Sequence, residues 1–182
     1  GQQYDMDFER RTDVTEGEYI EMIRLKTSVL LACAVKIGAI LADAPAEDAD
    51  NLYHFGEQMG LAFQLQDDLL DVYGDPKVFG KAIGGDITSN KKTYMLINAY
   101  QRADERQRQT LRRWIEAHDF DRQEKIAAVT ELYNQIGIRQ LCEDRINHYF
   151  AESEKYLARV GVADERKEQL HRFTLELMKR DK

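Results

Sequence analysis

FQLQDDLLDVYGD, residues 63–75, decides how the chain is read. Three aspartates, Asp67, Asp68 and Asp71, stand among Phe63, Leu65, Leu69, Leu70, Val72 and Tyr73, and no basic residue lies within the stretch. Carboxylates this close repel one another, and an ionised carboxylate turned toward a core is costly unless paired or metal-bound. At about 100° per residue, Gln64, Asp67, Asp68 and Asp71 fall within roughly a 100° arc of one helix. Gly56 and Gly60 continue the stripe N-terminally, so this face is slim at one end, where a neighbouring helix can come close, and acidic at the other. Clustered carboxylate oxygens suit a hard cation such as Mg²⁺, which commonly bridges one or two carboxylates to substrate phosphates. A bare DDxxD is more often a solvated acidic face near a helix end, so the rest of the chain has to decide.

Working outward, helices are expected almost throughout. Thr15 followed by Glu18 has the spacing of a capping box and predicts a long helix to about Asp43, with Tyr19, Ile23, Leu30, Ala34 and Ile37 inward. Pro45 opens a second helix through Tyr73, with Leu52, Phe55, Met59 and Phe63 as its core stripe. Gly74, Gly80, Gly84 and Gly85 mark a long loop from Gly74 to about Lys91. Helices resume at about Lys92, Asp121 with Glu124 offers another cap, and amphipathic segments near 138–159 and 164–180 complete the chain. With no alternating strand run and no repeat, the fold class is all-α, a bundle of long helices.

The 182 residues suffice for one ordinary domain. A net charge of -7 gives no reason to expect nucleic acid as a partner, and an anionic substrate needs local help from lysines or a metal. Cys33 and Cys142 are expected to be small apolar fillers in a reduced, cytoplasmic setting. No apolar run reaches the ~18 residues of a membrane span, so stable membrane insertion is not expected. The four histidines, His54, His118, His148 and His171, have no ligand-like spacing, and no convincing Ser-His-Asp or Cys-His arrangement stands out. The opening GQQYDMDFE lacks a methionine yet has the texture of a folded segment, which suggests a fragment.

Two further features bear on the aspartates. RLKTS, Arg24 to Ser28, sets Lys26 and Thr27 among apolar neighbours of the first long helix. The glycine-rich loop contributes Lys77 and Lys81, and Lys91 and Lys92 stand where the next helix starts. Each alone is commonplace, since helical lysines usually reach solvent. Together, a basic loop beside an acidic metal site is what a diphosphate requires.

FQLQDDLLDVYGD followed by FGKAIGGDITSNKKTY closely resembles the second aspartate-rich motif and following lysine loop of the trans-polyprenyl diphosphate synthases, the family of geranyl, farnesyl and geranylgeranyl diphosphate synthases. RLKTS resembles its Lys-Thr motif, GQQYD its Gly-Gln-x-x-Asp segment, and LELMKRDK the basic C-terminal tail of short-chain members. The resemblance implies a Mg²⁺-dependent prenyltransferase of the isoprenoid synthase fold that condenses isopentenyl diphosphate with an allylic diphosphate, as a homodimer when intact. Asp67 is then the principal Mg²⁺ ligand, supported by Asp68 and Asp71. Lys26, Lys81 and Lys91 hold the allylic diphosphate, Thr27 and Gln64 contact the allylic substrate near its ionising carbon, and Phe63 faces the isopentenyl group. Gln2 and Asp5 line the same cavity, while Arg180 and Lys182 close over isopentenyl diphosphate. The family's first aspartate-rich motif and its following arginines have no counterpart here. The expectation is therefore that residues 1–182 are the C-terminal part of a single synthase domain, with N-terminal helices missing and the fragment inactive alone. The alternatives are a non-catalytic regulatory subunit and a class I terpene cyclase. The second would need a downstream Asn/Asp-Ser/Thr-Glu metal motif, which the sequence after Asp71 lacks.

Overall fold

The computed structural model describes residues 1–75 and 83–179. Among them every regular element is helical: α1 (Gln2–Phe8), α2 (Glu16–Ile23), a π-helical turn (Arg24–Ser28), α3 (Val29–Leu41), α4 (Ala46–Tyr73), α5 (Gly85–Thr88), α6 (Tyr94–Arg102), α7 (Glu105–Glu116), α8 (Arg122–Ile136), α9 (Ile138–Arg159) and α10 (Asp164–Met178). The all-α expectation holds. Among the described residues no helix is long and apolar enough to cross a membrane. Lys77, Lys81, Arg180 and Lys182 lie outside the described residues.

The caps set the helix starts. At α2 the Thr15 hydroxyl accepts from the Glu18 amide at 3.2 Å, and Glu18 accepts from the Thr15 amide at 2.9 Å. Asp121 caps α8 by accepting from the Glu124 amide at 2.8 Å. A second reciprocal box, Asp104 with Gln107, starts α7 and went unread in the sequence, although DERQ carries its signature.

α4 is the central helix, packed along α3 on one side and α9 on another. Its glycines make the first contact possible. A methyl group at Gly56 would lie 2.8 Å from Ala32 Cα, and one at Gly60 would lie 2.5 Å from Ser28 Cα. The slim stripe inferred from the sequence is thus the seam between α4 and the π turn with α3. One apolar cluster centres on Tyr19, Leu65, Met95, Leu111 and Ile138. A smaller one, Phe55, Met59 and Leu157, sits under Leu31, Val35 and Leu52. Glu16 fastens the start of α2 to the bundle, pairing with Arg145 of α9 at 2.6 Å and accepting from Asn98 of α6 at 3.1 Å.

One sequence expectation is corrected. The helix from Thr15 is not a continuous α-helix, because RLKTS forms a π turn. The turn inserts an extra residue, which rotates everything after it by about 100° relative to a straight α-helix. Tyr19 and Ile23 face the core as expected, but Leu30 is 78% exposed and Ala34 and Ile37 also face outward. Ser28, Ala32 and Ala39 are the buried residues instead. α3 therefore presents an apolar ridge of Leu30, Ile37, Ile40 and Leu41.

The seam makes a testable distinction between glycines. Gly60→Ala is expected to lower the free energy of unfolding by about 1–3 kcal/mol, because the added methyl forces two helix backbones apart. Gly38→Ala, where a methyl meets nothing within 4 Å, is expected to raise it by up to ~1 kcal/mol. Urea denaturation of the two variants measures both; equal effects would mean the seam is not tight.

Candidate active site

The C-terminal turns of α4 gather the sequence-predicted residues. Asp68 is 1% exposed, so the acidic arc is divided rather than uniform. The hydroxyl of Tyr19, itself buried on α2, donates to Asp68 Oδ2. Lys91 Nζ stands 3.5 Å from Asp68 Oδ1 and 3.3 Å from Asp86 Oδ1. Asp68 Oδ1 accepts no hydrogen bond among the described residues. Asp67 is half-buried and makes no hydrogen bond or ion pair among them. Asp71, also half-buried, accepts the Asp86 amide at 2.9 Å through Oδ2 and lies close enough to Gly85 that a methyl there would be 3.2 Å from its Oδ1.

Burial sets the electrostatics. Desolvation pushes the Asp68 carboxyl from 3.8 up to about 7, although Lys91 and the Tyr19 hydroxyl oppose the rise. Desolvation likewise raises Asp86, and it carries the Tyr19 phenol well above its ordinary value. Lys91 is also raised, but against its burial: desolvation disfavours its ammonium, yet Asp68 and Asp86 together hold it above the ordinary lysine range.

The π turn supplies the opposite wall. Thr27 Oγ1 donates to Gln64 Oε1 at 3.1 Å, so the two residues expected near the ionising carbon do meet. Lys26 Nζ bonds Asp5 Oδ2 at 2.6 Å, which brings α1 to the same wall. Arg24, at the start of the turn, binds Glu57 of α4 at 3.0 Å and Glu21 at 2.7 Å. Phe63 is half-buried on α4, and Gln2 is exposed at the start of α1. The end of α10 reaches α4 on another face, where Gln66 Nε2 donates to the Met178 carbonyl at 3.0 Å.

The loop after α4 is held as a second platform. Gly84 has φ of 78° and its Cβ position would strike the Ile126 side chain, so only glycine lets this backbone close against α8. Its amide donates to the Asp71 carbonyl. Asn90, at φ of 54°, turns the chain so that the Lys91 amide comes back to the Asp86 carbonyl of α5. A polar-edged pocket of about 520 Å³, partly open to solvent, lies between Asp5, Glu9, Ser89, Lys91 and Lys92 and borders this platform.

Two site residues escaped the sequence reading. Tyr19 belongs to the core stripe, and its hydroxyl contact depends on a partner 49 residues away. Asp86 had a local signal, since it stands five residues before Lys91 in the glycine-rich loop.

The buried carboxyl has a pH consequence. Between about pH 4 and pH 7 the folded chain keeps a proton on Asp68 that the unfolded chain has released, so stability falls as pH rises through this window and then levels off. Asp68→Asn removes that dependence. In metal-free buffer its melting temperature relative to the parent is expected to be higher at pH 8 than at pH 5 by on the order of 5 °C. The same offset at both values would show that Asp68 is not a strained anion.

Comparison with known proteins follows the same pattern. A family model described as polyprenyl synthetase matches residues 1–134. A short chain isoprenyl diphosphate synthase from Methanothermobacter thermautotrophicus is 41% identical over 137 residues, 75% of this chain and 41% of that protein. A geranylfarnesyl diphosphate synthase from Aeropyrum pernix is 34% identical over 176 residues, 97% of this chain and 54% of that protein. The crystal structure of a geranylgeranyl pyrophosphate synthase covers the whole chain with a TM-score of 0.91 and 40% identity, over 56% of its own length. That of a Corynebacterium glutamicum geranylgeranyl pyrophosphate synthase complexed with isoprenyl diphosphate and magnesium gives a TM-score of 0.88 at 31% identity, covering 98% of this chain and 51% of its own. The chain spans about half the length of the relatives it matches. From its first helix to α8 it carries the sequence, and throughout its described residues the helix order, of one lineage: it belongs to the polyprenyl synthetase family.

Proposed function

We propose that this chain forms the diphosphate-handling part of a short-chain prenyltransferase that condenses isopentenyl diphosphate with an allylic diphosphate, using Mg²⁺, in the cytoplasm. The observation that carries the reading is the position of Lys91, an ammonium fixed between Asp68 and Asp86 at the end of the helix that also bears Asp67 and Asp71. The relatives' names supply the substrate class. We read residues 1–182 as part of one synthase domain, and the whole enzyme as a homodimer.

The carboxylates fit the metal. Asp67 is unengaged, and Asp71 retains an oxygen that accepts no hydrogen bond among the described residues. No three His, Cys, Asp or Glu side chains among the described residues already converge as a metal cage. That suits an ion which takes one or two carboxylates and fills its remaining positions with substrate oxygens and water. Asp67 and Asp71 would hold it, and bound Mg²⁺ would neutralise charge on the departing diphosphate. Asp68, already committed to Tyr19 and Lys91, serves instead to place the ammonium.

The chain's own groups then divide the work. Lys91 and Lys26 donate to diphosphate oxygens, and with Lys81 they stabilise the charge that gathers as the allylic C–O bond breaks. The Thr27 hydroxyl and Gln64 carbonyl dipoles lie where positive charge develops on the allylic carbon. Phe63 offers an apolar surface to the isopentenyl group, Gln2 and Asp5 border the cavity, and Arg180 and Lys182 cover isopentenyl diphosphate. The double bond of isopentenyl diphosphate attacks the allylic carbon and a proton is lost, so no protein nucleophile is needed.

In the gene product containing these residues, Asp67→Ala is expected to lower turnover by a factor of about 100 or more at unchanged melting temperature. Lys91→Ala is expected to weaken an allylic diphosphate analogue about tenfold in calorimetry with Mg²⁺. Near-normal turnover of the first variant at saturating Mg²⁺ would remove Asp67 from the site.

A further inference from the structure

Lys125 lies in the first turn of α8 and is 1% exposed. Its surroundings are unusual for a lysine. No carboxylate of the described residues lies within ion-pair distance of its Nζ. Its contacts are the Asn90 side-chain oxygen at 2.8 Å and the face of Phe120, whose ring centroid is 4.2 Å away. Burial alone pulls its ammonium below the ordinary lysine range. The position adds to the cost, since the N-terminal turn of a helix disfavours cations. A buried ammonium with one oxygen acceptor is expensive to keep, and a methionine of similar length would fill the space without that expense.

What the ammonium holds is the residue before Lys91. Asn90 stands in the left-handed region, accepts from Lys125 of α8 through Oδ1, and donates through Nδ2 to the Ile115 carbonyl of α7 at 3.0 Å. One side chain thus ties the loop to two helices. The backbone on either side is fixed as well: the Lys91 amide donates to the Asp86 carbonyl at 3.0 Å, and the Thr93 amide to the Lys91 carbonyl at 2.9 Å. Lys91 leaves a turn whose outer face is clamped by Lys125 and whose inner face carries its own ammonium to Asp68 and Asp86. Two lysines, one on each side of Asn90, therefore have different tasks.

We propose that Lys125 is a positioning residue for Lys91, acting through the Asn90 side chain to hold that ammonium at the diphosphate end of the site. Its effect on diphosphate binding rests on the function proposed above; its effect on Lys91 does not. Loss of the clamp releases the turn at Asn90, and Lys91 then samples several rotamers in place of one.

The test uses lysine-¹³Cε-labelled protein, with the Lys91 signal assigned from Lys91→Arg, and follows it in Lys125→Met, Asn90→Gly and Asn90→Asp. Asn90→Gly keeps the left-handed turn and loses both the acceptor for Lys125 and the donor to Ile115; Asn90→Asp keeps the turn and the acceptor and loses only that donor. In ligand-free protein the Lys91 signal is expected to move toward the free-lysine position and narrow in Lys125→Met and Asn90→Gly, and to stay near the parent in Asn90→Asp. Should Lys125→Met not fold, Asn90→Gly decides. A Lys91 signal unchanged in Asn90→Gly, or displaced equally by Asn90→Asp, overturns the proposal. Calorimetry with inorganic diphosphate and Mg²⁺ is the second readout. Binding is expected to weaken at least fivefold in Lys125→Met and in Asn90→Gly, with no further loss in the double variant. Independent, multiplying losses would overturn the proposal, because the two residues would then not act through one another. If the parent binds no magnesium diphosphate while the Lys91 signal responds as expected, the functional reading fails and the coupling stands.

Discussion

A carboxylate shut away from water at the junction of three segments is the constraint on which the rest depends. Asp68 belongs to α4, Tyr19 to α2 and Lys91 to the stretch following α5, and all three meet at one side chain. Desolvating an ion costs several kcal/mol unless hydrogen bonds and an opposite charge are in place, so this junction tolerates little slippage of α2 along α4. The glycines satisfy that demand. Gly60 and Gly56 let the π turn and α3 lie against α4, the Thr27–Gln64 bond follows one turn on, and Tyr19 then comes within reach of Asp68. The stripe at 56, 60, 64 and 68 is a single seam whose purpose changes along its length, from close packing to polar contact to charge.

The π turn explains why the seam and the site share a boundary. A straight α-helix through residues 16–41 would set Leu30, Ala34 and Ile37 against α4 in place of Ser28, Ala32 and Ala39, and three of the smallest side chains would be lost from the contact. The extra residue in the turn keeps Tyr19 and Ile23 inward while bringing small residues to face Gly56 and Gly60. The same distortion places Lys26 and Thr27 where they meet Asp5 and Gln64. The apolar ridge on α3 is the other consequence of the rotation, for the large residues have to point somewhere.

Fold class, the extents of α4 and α9, the caps at Thr15 and Asp121, and the gathering of Gln64, Asp67 and Asp71 were legible because they follow from local pattern: caps, periodicity and i, i+4 spacing. So was the close approach at Gly56 and Gly60. The π turn was not, since RLKTS contains no glycine or proline and the apolar positions on either side fit an uninterrupted helix equally well. Asp68's burial was not legible either. A helical wheel shows that Asp67 and Asp68 differ by about 100°, but only the placement of α2 determines which of them is covered. Tyr19, Asp86 and Lys125 act through partners from other segments or through burial, and single-chain spacing carries no record of such contacts. Lys81 and the terminal Arg180 and Lys182 lie outside the described residues.

Local charge bears on how a diphosphate would be received. Asp5, Asp67, Asp68, Asp71 and Asp86 crowd the end of α4, and among the described residues the ammoniums that contact them, Lys26 and Lys91, are each already paired with a carboxylate. Charges about 4 Å apart near a protein surface interact by roughly 4 kcal/mol, so a bare diphosphate approaching this cluster meets net repulsion. On the proposed reading, Asp67 and Asp71 would hold a divalent cation, whose charge would reverse the sign and make the diphosphate welcome. Each ligand therefore improves the site for the other, and linkage makes that improvement equal in both directions. On the proposed reading the site takes metal and diphosphate as one unit. The clamped position of Lys91 matters for the same reason: an ammonium held between Asp68 and Asp86 is presented to that unit without having to give up the carboxylate that keeps it charged.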